Sequence, residues 1–180
     1  MGTTRFVLIL AAAWGGGLFL DRAAAQEAAA DPRASSARLL DQLRLMGPAE
    51  IEAVYRGGTA VAIPAGSIRG GALLSPGARR ARMMSRGARV VWQGKVFEPA
   101  GDRAVNRFFG IRIVKAQVYQ GASWLDGRPA LILDYTQTSR IYARYRDEIR
   151  QVAPGLYLGL MHDATTNPPD LRMYFTLYDF

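Results

Sequence analysis

Residues 130–162 read ALILDYTQTSRIYARYRDEIRQVAPGLYLGLMH. The runs 130–135, 140–152 and 156–162 are rich in apolar and aromatic side chains, and polar turn residues or Pro154-Gly155 stand between them. Short runs punctuated in this way predict consecutive antiparallel strands. Within 140–152 a period of two sorts the side chains. Tyr142, Arg144, Arg146, Glu148 and Arg150 share one face, and Ile141, Ala143, Tyr145, Asp147 and Ile149 share the other. Asp147 thus sits on an otherwise apolar surface. A buried carboxylate without a partner is costly, so Asp147 is expected to meet a cation, with an arginine pointing inward from a neighbouring strand as the candidate.

The same texture continues on both sides. Further strands are expected over 67–74, 89–97, 103–109, 111–119 and 171–178, with turns at EPAGD (98–102), DGRP (126–129) and NPPD (167–170). The fold class is therefore mainly β: an antiparallel barrel or strongly curved sheet of about eight strands. A closed barrel of about that size either fills its interior with side chains or holds one small ligand. The glycines of GSIRGG (66–71) and WQGKVF (92–97) are read as strand glycines that permit bending or close backbone approach. They are not phosphate-cradling loops, because they do not follow a strand and open a helix in the required way.

Upstream, the period changes. Ser35 or Ser36 is expected to cap a helix with Leu39, Leu40, Leu43 and Met46 on one stripe, broken by Gly47-Pro48. A second short helix carries Ile51, Val54 and Tyr55 and stops at Gly57-Gly58. The two look like a lid or a brace. One inserted amphipathic helix is expected over 78–86, where arginines surround Met83 and Met84.

The N-terminus has the order of a secretory leader: Arg5, an uncharged run over 6–20, and Ala23-Ala24-Ala25 ahead of Gln26. The run falls short of the roughly 20 apolar residues of a permanent span. Cleavage after Ala25 is expected, with Ala30 as a second site and an uncleaved anchor as the alternative. The organisation expected is a signal peptide over 1–25, a flexible spacer over 26–36 and a single β-rich domain over 37–180, in an exported protein, periplasmic or secreted. Losing residues 1–25 removes two basic residues and one acidic residue, taking the net charge from +8 to +7.

Composition narrows the chemistry. The chain has no cysteine, so the fold holds by burial without disulfides. With a single histidine, His162, no multi-histidine metal centre can form, and zinc has no plausible ligand set. His162 ends a strand and is expected to lie on an exposed loop. Neither a complete catalytic set nor a cofactor motif is present. The arginines of 79–89 lack the interleaved aromatics that stack on bases, so a face toward an anionic envelope surface is expected in place of nucleic acid.

Candidate ligand-binding residues are Trp92, Lys95, Tyr119, Trp124, Asp134, Tyr135, Arg146, Asp147, Tyr157 and Tyr174. Aromatic walls with hydroxyl tips suit a small apolar ligand or lipid, and ordinary core packing accounts for aromatics equally well. Arg144, Arg146 or Lys95 could meet an acid group on such a ligand. Asp134 and Asp147, each among apolar neighbours, leave open an acid/base enzyme acting on a hydrophobic substrate. The other reading is that both pin strand ends by hydrogen bonds.

The motifs WxGKxF (92–97), WLDGRP (124–129), ILDY (132–135), RDEIR (146–150) and PGLYLG (154–159) together resemble an uncharacterised exported bacterial family and, more loosely, lipocalin-like barrels. The lipocalin likeness implies a calyx that holds a lipid or other apolar molecule. The chain departs from that pattern at its first strand, where Gly66-Ser-Ile replaces a Gly-x-Trp opening.

Overall fold

Eight short β-forming runs become eight strands, and each pairs antiparallel with the next: β1 (Gly66–Leu73), β2 (Trp92–Phe97), β3 (Arg103–Phe108), β4 (Ile111–Ala122), β5 (Pro129–Asp134), β6 (Tyr145–Ala153), β7 (Leu156–Asp163) and β8 (Asp170–Tyr178). β1 also pairs with β8, matching Gly70 with Leu177 and Ala72 with Phe175, so the sheet closes into a barrel. Closure leaves no free edge among these strands. The structure, a computed structural model, describes residues 31–74 and 91–180. The expected leader and the expected helix over 78–86 lie outside the described residues. Arg33–Phe180 forms a compact unit of its own.

Period-two alternation divides the side chains between two cores. Ile68, Phe97, Ala104, Val118, Leu131, Leu133, Ile149 and Tyr157 point into the barrel, where Val61 and Ile63 fill the end at which β1 begins. The outer face of β7 and β8 is apolar as well: Leu156, Leu158, Leu160, Tyr174 and Tyr178 pack against Leu40, Leu43, Ile51 and Tyr55 of α1 (Pro32–Leu43) and α2 (Pro48–Gly57). The helices are thus a brace on the outside wall and not a lid. Each buried Leu or Ile there contributes roughly 1.5–3 kcal/mol by leaving water.

Three expectations shift. The spacer over 26–36 does not hold for its last residues, because α1 begins at Pro32, whose fixed φ suits a first helical turn. Ser36 is consequently no cap: it is buried inside the helix and its hydroxyl donates to Pro154 O at 2.7 Å. The strand expected over 140–152 begins at Tyr145. Thr138 N–H and Ser139 N–H both donate to Tyr135 O, and Tyr145 N–H donates to Tyr142 O, so the chain turns through 136–144 despite its alternating pattern.

Two glycines explain how the wall closes. Gly94 holds φ +118° with Ile68 O so near that a Cβ would lie 2.1 Å from it, and a Cβ on Gly70 would meet the Trp92 ring at 2.7 Å. β1 and β2 therefore approach more closely than any other residue would permit.

Candidate binding cavity

Among the described residues, none fills the end of the barrel opposite Ile63. A cavity of about 440 Å³ lies there between the end of β1, the start of β2, the end of β3 and the start of β8. This falls within the roughly 300–1,000 Å³ of small-molecule sites. Its walls are apolar: Ala72, Trp92, Phe108, Met161, Met173 and Phe175. Trp92 and Phe175 meet edge-to-face with centroids 5.5 Å apart. The two methionines supply flexible, polarizable wall that adapts to ligand shape.

Four polar residues, Lys95, Asn106, Tyr135 and Asp147, converge on the same cavity. β2 brings Lys95 inward, and its Nζ donates to Asp147 Oδ2 at 2.9 Å, to Tyr135 OH at 2.8 Å and to Asn106 Oδ1 at 2.8 Å. The Tyr135 hydroxyl donates to Asp147 Oδ2 at 2.7 Å and accepts from Asn106 Nδ2 at 3.1 Å. Trp92 Nε1 donates to Asn106 Oδ1 at 3.0 Å. The ammonium also lies 5.2 Å from the centroid of the Phe175 ring. All three ammonium hydrogens are thereby satisfied. The partner of Asp147 is a lysine from across the barrel and not an arginine from the adjoining strand. Asp147 Oδ1, by contrast, has no hydrogen-bond partner among the described residues.

Burial dominates the electrostatics. It pushes the Lys95 ammonium below the usual lysine value, with Asp147 opposing the shift. Burial also holds the Tyr135 hydroxyl well above its ordinary value, assisted by the negative charge of Asp147. A strained backbone supports the cluster: Val114 takes φ +63°, rare for a β-branched residue, and its carbonyl accepts from Asn106 Nδ2 at 3.2 Å.

Of the ten candidate residues, Trp92, Lys95, Tyr135 and Asp147 line the cavity. Tyr157 points inward but belongs to the packed interior. The other five lie outside. Tyr119 is exposed and donates to Asp134 Oδ2 at 3.3 Å. Tyr174 donates to Glu52 of α2, and burial, assisted by Glu52, drives its hydroxyl up to about 12. The Arg146 guanidinium stacks 4.0 Å from the Trp124 ring centroid on the outer wall. Asp134 and Asp147 stand on opposite faces of the wall, since Leu133 and Tyr135 flank Asp134 and both point inward. They cannot act together as an acid/base pair. Nor is any of the three cations proposed for an acid group available inside: Arg144 pairs with Asp163, Arg146 faces outward and Lys95 is saturated. Asn106, Phe108, Met161, Met173 and Phe175 were legible by alternation from their inward neighbours Ala104, Tyr157 and Leu177, whereas Tyr142, expected on the strand face opposite Asp147, lies in a turn and lines the cavity with it.

A second buried polar cluster sits on the outer wall. Glu148 accepts from Trp124 N–H at 2.9 Å and from the Ser123 hydroxyl. His162 is buried and not on an exposed loop, edge-on to Trp124 at 5.6 Å, with Nδ1 3.9 Å from Glu148 Oε1. Nearby, Arg150 clamps Asp126 with two hydrogen bonds of 2.7 and 2.8 Å and also donates to Pro129 O and Arg128 O. These groups fasten the 123–129 loop to β6. Among the described residues, no group of three acidic or histidine side chains is placed to hold a metal.

No protein-family model and no curated protein matches the chain. Among solved structures it is similar to a crystal structure of a protein from Thermomonospora curvata, 23% identical, with a TM-score of 0.52, covering 83% of this chain and 99% of that one. The likeness extends over most of both chains and concerns the barrel fold.

Proposed function

We propose that the chain is an exported, non-enzymatic barrel that binds one small, mainly apolar ligand carrying a hydrogen-bond donor. The observation that carries this reading is the imbalance of the polar cluster. Every donor of Lys95 is used, while one oxygen of Asp147 is not. That oxygen is itself enclosed, so a ligand hydroxyl or amine supplies what it lacks by shifting the adaptable wall around it, whereas a carboxylate brings a second negative charge next to Asp147. Desolvated like charges repel strongly, so the polarity favoured is that of an alcohol, phenol or amine and not that of a fatty acid. Apolar walls and two methionines accept a hydrocarbon body of varied shape.

The test is a matched series of decanol, decylamine and decanoate, titrated into residues 26–180 and followed by calorimetry and by amide shifts around Lys95 and Asp147. Decanol or decylamine should bind at least about tenfold tighter than decanoate, a difference of about 1.4 kcal/mol. Tighter binding of decanoate overturns the donor requirement. No saturable binding of any of the three overturns the binder itself. Export is tested separately by mass spectrometry of the protein recovered from the periplasm or medium, with an N-terminus at Gln26 expected.

A further inference from the structure

The end of the barrel at which the cavity lies carries bare apolar side chains. Val91, Phe109, Ile111, Ile113 and Ile141 are between 45% and 78% exposed, and among the described residues they make up most of the large apolar side chains on the surface. Phe109 and Gly110 form the tip between β3 and β4, where Phe108 pairs with Ile111. Both tip residues take positive φ, 49° for Phe109 and 82° for Gly110. At the first of these positions Asn, Asp or Gly is the unstrained choice. A phenylalanine held there is both strained and uncovered, so stability does not account for it. The tip is nonetheless firmly placed: Phe109 N–H donates to Val91 O at 3.0 Å and Gly110 N–H to Gln93 Oε1 at 2.9 Å.

The charges around this apolar tip have one sign. From 105 to 117 the chain carries Arg107, Arg112 and Lys115 and no acidic residue. Arg112 and Lys115 are exposed, as is Arg140 beside Ile141. The 136–140 turn stays next to β4 through Thr138 Oγ1, which donates to Lys115 O at 2.6 Å. Apolar side chains on a projecting turn, ringed by cations, match the boundary of an anionic bilayer, with apolar groups below the headgroups and cations among the phosphates. Val91 both lines the cavity and is exposed on this rim, so apolar surface runs without a break from the tip into the barrel.

We infer that the β3–β4 hairpin with its flanking cations docks the open end of the barrel onto an anionic lipid surface. The surface adjoins the cavity at Val91, but Phe109 and Ile111 do not line the cavity, so the test does not depend on the ligand reading. Residues 26–180 are floated with vesicles of phosphatidylcholine alone or with a third phosphatidylglycerol, at low and high salt. Binding should require phosphatidylglycerol, weaken as salt rises, and fall at least about tenfold in Phe109→Asn/Ile111→Thr. Asparagine suits the positive φ, so that variant should keep or raise Tm, and its loss of binding is not a loss of fold. An Arg112→Gln/Lys115→Gln variant should lose most of the preference for anionic vesicles. Equal flotation with pure phosphatidylcholine, no flotation at low salt, or unchanged flotation of the Phe109/Ile111 variant each overturns the inference. Sedimentation showing a dimer that the same variant abolishes also overturns it, in favour of a second copy covering the hairpin.

Discussion

Lys95 and Asp147 provide the sharpest test of the interior described above. They are 52 residues apart, their side chains are 2% and 3% exposed, and their charged atoms meet at 2.9 Å. Asp147→Leu strips the carboxylate from a wholly buried ammonium, and Lys95→Met leaves a buried carboxylate with the Tyr135 hydroxyl as its remaining donor. Removing one member of a buried pair costs about 3–5 kcal/mol. The first substitution should fall at the lower end, because burial already lowers the Lys95 pKa and the amine can shed its proton. The double variant removes both charges and fills their space with apolar atoms. Asn106 still accepts from Trp92 and still donates to Tyr135, so the group left unpaired is the Tyr135 O–H, whose acceptor was Asp147, at a cost of roughly 2 kcal/mol. The cycle should thus report a coupling of about 4 kcal/mol or more. At about 2–4 °C per kcal/mol for a domain of this size, each single variant should drop Tm by about 6–20 °C and the double by less than either. Urea unfolding of the four proteins, with m-values compared, measures the cycle. Additive singles of under about 1 kcal/mol each would show that the pair is bathed in water, and the dry, donor-saturated cluster would have to be given up.

Two further outcomes are expected. In Gly159→Ala the new Cβ would sit 2.1 Å from the Phe175 ring, so the ring must move into the cavity it lines; stability should fall by about 1–3 kcal/mol and decanol affinity should weaken, checked by urea melts and calorimetry. Burial lowers the pKa of His162, opposed by Glu148, Asp147 and Asp170 and aided by Arg146. The unfolded chain then binds a proton that the folded chain does not, so stability should decline as pH falls through about 6.5, and His162→Gln should flatten that part of the curve of urea midpoint against pH; a slope unchanged by the substitution removes His162 as its source.

Much of this molecule was readable along the chain because the signals involved are local. Turn residues at 98–102, 126–129 and 167–170 marked where strands stop, and a period of two placed Asp147 with Ile149 and Asp134 with Ile132 on shared faces. What a period of two cannot say is which face is inside. In β5 to β8 both faces are buried, one by the barrel and the other by α1, α2 and the 123–129 loop, so hydrophobicity marks both alike. This is why Asp134 and Tyr174 were expected within and lie without, and why His162 is buried although it ends a strand. The run over 140–144 alternates as a strand does, yet Tyr145 N–H donates to Tyr142 O and turns the chain there, just after the turn that Thr138 and Ser139 close on Tyr135 O.

Readable along the chain alone were the eight runs that become strands, the turns between them, the lack of cysteines for disulfides and of histidines for a multi-histidine metal site, and the place of Asp147 on an apolar strand face. That Lys95 and Asp147 meet, that Asn106 and Tyr135 complete their hydrogen bonds, and that one oxygen of Asp147 is left over follow from the closed barrel. The reason is closure: when β1 joins β8, residues far apart in the chain face one another across a space about one ligand wide, and no local preference encodes that distance.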